Sequence, residues 1–312
     1  MKKFFIYTFA ICAAFLASCS KDSSSSGSSS GNPSTGIRIG EIYRSRVWER
    51  YTSDDGYSWE LVNSGYSENK LSTVFHWNND KIISIDHYSD NQYQDSDAFT
   101  YNNNGLVSKV TFNEEGEEYE NVVLSYNGTQ ISTVKFYRDG IMQSAYNVSY
   151  SNNKITRLTC TYMTHDTLES VHGRDFFKNM FKTDPKDISA TDDMPYIVLT
   201  WSGNNLTRLQ RYNSGGEYYE TFTYDNKINP YYGVNSLAVY VLFRGNFSYL
   251  SQNNVLYDDL HENGYTYPTT YTYIYNGNYP VQYSFTEEYV THDRDSWFKY
   301  VDTYTFTNSY LE

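Results

Sequence analysis

The sequence predicts an all-β protein: an antiparallel meander of hairpin repeats forming one strongly curved or barrel-like sheet of roughly 14–16 strands, near the size at which open sheets curl or close. Three observations predict it. The stretch Tyr101-Asn102-Asn103-Asn104-Gly105-Leu106-Val107-Ser108-Lys109-Val110-Thr111-Phe112 is an aromatic, a polar turn and a short strand, and versions of it recur at Trp77, Tyr126, Tyr150, Trp201, Tyr224 and Tyr275. The chain carries 35 Tyr and 17 Phe beside only 6 Pro, yet its mean hydropathy is -0.66, a balance that suits half-buried strands. Its connections are short and rich in Asn and Gly, whereas parallel strands need crossovers of a dozen or more residues.

Taken in order, the chain opens with Lys2 and Lys3 before an apolar run from Phe4 to Ala17, the n-region and h-region of an export signal. The run is short for a membrane-spanning helix. It closes on Leu16-Ala17-Ser18-Cys19, which resembles the lipobox of bacterial lipoproteins. That resemblance implies removal of residues 1–18, acylation of Cys19 and anchoring to a membrane through two or three acyl chains, enough for durable attachment. Lys21-Asp22 resembles the short Lys-acidic export signal of surface lipoproteins in the Bacteroidetes. The expected location is therefore the outer membrane, on its cell-surface or periplasmic face. Residues 19–36 continue as a Ser/Gly-rich linker with a reach of roughly 20 Å.

Residues 37–312 are expected to form a single β-repeat domain. Its turn aromatics advance by 24, 25 and 24 residues from Trp77 to Tyr150, then by 51, 23 and 51 to Trp201, Tyr224 and Tyr275. A fixed step of this kind marks a repeat architecture, and each long step, about twice the basic one, suggests a degenerate or interrupted copy. Within a unit, Val134 and Phe136 share one face and Thr133 and Lys135 the other; Arg138-Asp139-Gly140 supplies the turn and Ile141 to Tyr150 returns. Two excursions break the rhythm. Residues 163–194 hold Phe177, Met180 and Phe181 at helical spacing and read as a surface excursion with one short helix. Residues 229–254 run through the apolar stretch Leu237 to Phe243 and read as a helix or loop plugging one end of the sheet.

The turn phrases Tyr101-Asn102-Asn103-Asn104-Gly105-Leu106 and Tyr224-Asp225-Asn226-Lys227 resemble the Tyr-Asp repeats of bacterial surface and toxin-shell proteins. With the lipobox and Tyr224-Asp225-Asn226-Lys227-Ile228-Asn229-Pro230-Tyr231-Tyr232-Gly233, most of the chain after Cys19 resembles uncharacterised Bacteroides lipoproteins of porin-like β fold. The resemblance implies the fold and no activity.

Chemistry is sparsely signalled. A formal charge of -13 without a basic cluster excludes nucleic acid as a partner. Cys12 falls in the signal and Cys19 is the acylation candidate, which leaves Cys160 without an intrachain disulfide partner. Cys160 takes the slot of Phe136 in the preceding repeat and reads as core. His165-Asp166 and His292-Asp293, with Asp295 nearby, offer metal-ligand chemistry but no family spacing, and read as solvated turns. The acidic runs Glu114 to Glu118 and Asp90 to Asp97 lack the order of a calcium loop and read as wet hairpin tips. No nucleophile elbow, phosphate loop or dinucleotide fingerprint is present, so no catalytic residue, cofactor or metal is expected.

The surplus aromatics include Tyr43, Tyr57, Trp59, Tyr66, Tyr218, Tyr219, Tyr265, Tyr267, Tyr271 and Tyr273. An exposed strip of such rings would stack on sugars, and the same rings also stabilise sheets as cross-strand pairs. The function expected is a non-enzymatic binding or adhesion module directed at a glycan or another surface protein. The alternatives are a glycan-acting hydrolase with paired carboxylates and a membrane-spanning β-barrel. Against spanning stands an expected strand length of about seven to nine residues, below the usual nine to eleven.

Overall fold

In a computed structural model the chain is described at residues 38–114, 117–164, 177, 181, 194–213, 216–262, 264–293 and 296–311. The signal, Cys19 and the linker lie outside these residues. Sixteen antiparallel strands close into a barrel in which every strand pairs with its sequence neighbours and the first pairs with the last. They are β1 (Arg38–Ser53), β2 (Glu60–Asn78), β3 (Lys81–Ser89), β4 (Gln92–Tyr101), β5 (Val107–Glu114), β6 (Glu117–Asn127), β7 (Gln130–Arg138) and β8 (Ile141–Ser151). The second half comprises β9 (Lys154–Met163), β10 (Tyr196–Ser202), β11 (Asn205–Asn213), β12 (Gly216–Ile228), β13 (Asn253–Glu262), β14 (Tyr265–Asn276), β15 (Tyr279–Asp293) and β16 (Ser296–Leu311).

The repeat pins hairpins at one end. Except on β14, the aromatic near the end of each even-numbered strand meets the start of its own hairpin. Trp77 Nε1 donates to Ile39 O at 2.8 Å, Tyr101 OH to Ile82 O at 2.6 Å, and Tyr126 OH to Val107 O at 2.7 Å. Tyr150 OH accepts from Ile131 N at 3.1 Å, while Trp201 Nε1 donates to Ile155 O at 2.7 Å and Tyr224 OH to Leu206 O at 2.6 Å. Tyr275 OH bonds to Asp225 Oδ2. An eighth copy, missed in the sequence, is Tyr310, whose hydroxyl donates to Pro280 O at 2.7 Å. The ring thus marks all eight even strands at one end of the barrel, here called the turn end.

Among the described residues the long steps hold no further copy. Between Tyr150 and Trp201, β9 pairs directly with β10. Between Tyr224 and Tyr275 the turn after β12 is replaced by the residues up to Asn253. The strand lengths also differ from expectation. They run from 7 residues in β10 to 16 in β1 and β16 and 19 in β2, so one wall stands much taller than the other.

A closed sheet of sixteen strands leaves a lumen that its own side chains cannot fill. Part of it is filled by the second excursion. Helix α1 (Asn235–Phe243), apolar on every face, buries Leu237, Val239, Val241, Leu242 and Phe243, as a helix with no polar stripe must. It ends at Gly245, whose φ of 72° lets the backbone turn. The plug expected for residues 229–254 is therefore present, inside the barrel. Phe243 packs edge-on against Phe136 of β7 and Tyr240 against Phe75 of β2. Tyr224-Asp225 to Asn229-Pro230 is the clamp that seats it: Asp225 accepts from Lys227 N and Asn254 N, and buried Asn229 donates through Nδ2 to Tyr249 O and Ser251 O, each at 2.8 Å.

Between residues 165 and 193, Phe177 and Phe181 are described, and both are fully buried. Phe181 stacks on inward-facing Tyr146 at 6.2 Å, so these two belong to the core and not to a surface loop. Cys160 is core as expected, and burial pushes its thiol up to about 11.

Alternation along the strands places the apolar residues inside. Leu158, Leu209, Val134 and Phe136 face the lumen, and their neighbours Arg157, Arg208 and Lys135 face outward. On the tall wall the outer face carries the hydroxyl pairs Thr272–Ser284 at 2.7 Å and Thr286–Thr303 at 2.8 Å, flanked by Glu288 and Lys299. The same outer face also exposes Val47, Tyr66, Ile274 and Val290, and the inner row of this wall holds Arg46, Arg50, Glu287 and Asp302, so both faces of the tall wall are mixed in character.

Candidate functional site

The filling of the lumen is one-sided. The plug leans on the short-strand wall, and between it and the tall wall lies a cavity of about 410 Å³. The wall contributes Glu220 and Phe222 from β12, Asp258 from β13, Tyr271 from β14, Tyr283, Phe285 and Glu287 from β15, and Phe306 from β16, with Ile42 of β1 and Ser72 and Thr73 of β2. The plug supplies Tyr240 and, from the 3-10 turn Phe247–Leu250, Ser248 and Tyr249. Inward pairing explains the rows: Phe285 lies opposite Tyr304, Tyr283 opposite Phe306 and Glu287 opposite Asp302 across β15 and β16.

The rings are mutually braced. Tyr283 stacks on Phe306 at 4.8 Å, Tyr231 on Tyr249 at 5.0 Å, and Tyr271 meets Phe285 at 5.2 Å. Burial pushes the Tyr271 and Tyr283 hydroxyls well above their usual range and raises that of Tyr249, so all three stay neutral donors.

The three carboxylates differ in setting. Glu220 is held by the fully buried guanidinium of Arg211, 2.9 Å from Nη2 to Oε2. Glu287 sits beside Asp302 and Arg46, and burial raises its carboxyl. Asp258 accepts from Tyr271 OH at 2.8 Å, and burial, with Glu220 nearby, pushes its carboxyl up to about 6. Above the cavity, further from the turn end, Asp302 bridges Arg46 at 2.8 Å and Arg50 at 3.0 Å, with Arg50 between the Trp48 and Tyr300 rings. Trp48 lies flat on the Gly65 backbone, where a Cβ would come within 2.4 Å of its ring.

The ten aromatics singled out in the sequence do not form one strip. Tyr271 lines the cavity and Tyr218 and Tyr273 face the lumen, but Tyr43 and Tyr219 lie on the outer face, and Tyr57, Tyr66 and Tyr265 are exposed. The cavity had no contiguous sequence signal, because its residues come from both ends of the chain. The only trace was the alternation of Tyr in β14 and β15.

Of the expected metal-type residues, His165 and Asp166 lie outside the described residues, as do the side chains of His292 and Asp293. A different cluster is assembled. His87, Asp95 and Asp97 converge with ligand atoms within 4.8 Å of one another. The run Asp90 to Asp97 is thus only partly a wet tip: Asp97 is 2 % exposed. The cation at this point is Arg244, just past α1, whose Nη2 lies 3.0 Å from Asp97 Oδ2 and 2.8 Å from His87 Nε2. That guanidinium sits where an ion would have to bind, so the cluster pins the plug to β3 and β4.

No family model and no curated protein sequence matches the chain. Similar solved structures include a porin-like protein from Bacteroides uniformis ATCC 8492, at 12 % identity and a TM-score of 0.42, over 85 % of this chain and 97 % of that one. A porin-like protein from Bacteroides vulgatus ATCC 8482 is 11 % identical, with a TM-score of 0.26 over 88 % and 98 % of the two chains. The TcdB2–TccC3–TEV structure matches at 7 % identity and a TM-score of 0.20, over 80 % of this chain and 19 % of that one.

Proposed function

We propose that the chain is an exported cell-envelope protein, anchored through acylated Cys19, that binds a small ligand in the barrel lumen without altering it. The observation carrying this reading is the cavity itself: a recess of about 410 Å³ beside a fixed plug, faced by braced aromatic rings and a few polar groups. Small-molecule sites have this size and this mixture. The export signal, lipobox and linker support the location and the stand-off from a membrane. A glycan fragment suits the ring faces for stacking and Ser72, Thr73, Asn246 and Ser248 for hydrogen bonding.

The outward Thr, Lys, Arg and Glu side chains favour a water-facing exterior over the membrane-spanning alternative. This replaces the expected argument from short strands, which the lengths of β1, β2, β15 and β16 remove. One observation favours a glycan-acting hydrolase as the second reading. Asp258 and Glu220 line one cavity in settings that hold one carboxyl protonated to higher pH than usual and pair the other with Arg211.

Titration calorimetry of the chain from Ser20 onward against a broad oligosaccharide panel, with reducing-end release followed in the same samples, separates the readings. Saturable binding without release, lost when Ser248→Trp fills the cavity, is the expected result. Release of new reducing ends replaces binding with hydrolysis, and binding that survives Ser248→Trp removes the lumenal site.

A further inference from the structure

We propose that the lumenal ligand carries a protonated amine, seated between the Asp258 carboxylate and the faces of Tyr249, Tyr271 and Tyr283. This rests on the lumenal binding reading and names the chemistry of what is bound. Among the described residues, the cavity lining contains three carboxylates and no Lys, Arg or His. Two of the three have a cation outside the cavity: Arg211 behind Glu220, and Arg46 beside Glu287. Asp258 is different, for its partners are hydroxyls, Tyr271 OH at 2.8 Å and the Thr269 side chain, which donate hydrogen bonds without neutralising charge.

The groups that face Asp258 reinforce the imbalance. Glu220 comes from β12 and Glu287 from β15, and both are acids; Asp259, next in the chain, adds negative charge from the outer face, where it pairs with His261. Tyr249, Tyr271 and Tyr283 present neutral hydroxyls and ring faces that carry negative quadrupole potential. An organic ammonium is attracted by both kinds of wall, whereas an anion meets only repulsion. A neutral sugar would leave the carboxylate imbalance as it stands.

Binding of a cation favours ionised Asp258, so uptake of an amine near pH 6 should displace a proton, and affinity should fall as pH is lowered through about 6. The sign is fixed: below that pH the carboxyl is neutral and the attraction is gone.

The test is calorimetry with two probe pairs that differ in charge and little else: phenethylammonium against phenethyl alcohol, and a glucosamine disaccharide against its N-acetylated form. The charged member of at least one pair should bind about tenfold or more tightly than its neutral mate. That preference should vanish in Asp258→Asn and weaken in the unmodified chain as pH is lowered through about 6. The pH series keeps the test valid if the variant misfolds. Equal or tighter binding of the neutral members overturns the inference and leaves the lumenal site standing. Failure of all four probes, with neutral glycans still captured in the lumen, also overturns the inference alone; failure of every probe and glycan removes both readings.

Discussion

Replacing Val239 by aspartate is expected to leave the barrel unable to fold. Val239 is fully buried in the middle of α1, and the lumen around it offers Leu237, Leu242 and strand side chains of the same character. An unpaired carboxylate there costs at least several kcal/mol, roughly 4 or more, a large part of the 5–15 kcal/mol that holds a typical domain together. Leu242→Ala, which removes volume and adds no charge, should cost about 2–5 kcal/mol. Urea denaturation followed by circular dichroism reads both. An unchanged midpoint for Val239→Asp would mean that α1 does not occupy the lumen.

The second large effect belongs to Arg244. Its guanidinium and His87 hold the Asp97 carboxyl below the usual carboxylate range, although burial pushes the other way. A depressed carboxyl adds stability above its unfolded value near 4, and that stability is lost as pH falls through the lower folded value. Removing the guanidinium with Arg244→Ala reverses the balance: burial then dominates, the Asp97 carboxyl rises, and the variant loses stability as pH climbs from about 4 towards neutral. The deficit at neutral pH should be about 2–4 kcal/mol, toward the lower side of buried pairs because 37 % of the Arg244 side chain is exposed. Thermal midpoints measured from acid to neutral pH should converge at the acid end. A constant offset at all pH values would show that Asp97 does not depend on Arg244.

These two elements differ in how far the sequence announced them. The plug was legible because Leu237 to Phe243 is too apolar to lie free in water. The ring of turn aromatics was legible because strands of similar length give a constant step. Tyr310 escaped because β15 and β16 run 15 and 16 residues, stretching the last step to 35. The Asp97 cluster was not legible, and the cavity left no trace beyond the alternation of Tyr in β14 and β15. Alternation says that Asp97 and Phe99 share a face, but not which side chain from across the lumen will meet them, and Arg244 is 147 residues away. Asp258 and Glu220 likewise look like ordinary surface acids until closure turns them inward and the plug leaves a gap beside them.

The tall wall also explains why the site lies where it does. β1, β2, β15 and β16 rise well past the plug, so their inward rows must meet either water or a ligand above the helix. Arg46, Arg50 and Asp302 satisfy one another at that level, and the aromatic rows below them are left to face the cavity.

Sedimentation of the chain from Ser20 onward, in buffer without detergent and then with liposomes, decides whether the barrel has water outside and its binding site within. A monodisperse, strand-rich species that stays in the supernatant when the liposomes are pelleted is the expected result. A chain that aggregates until detergent is added and then inserts into the vesicles would show that its outer face meets lipid.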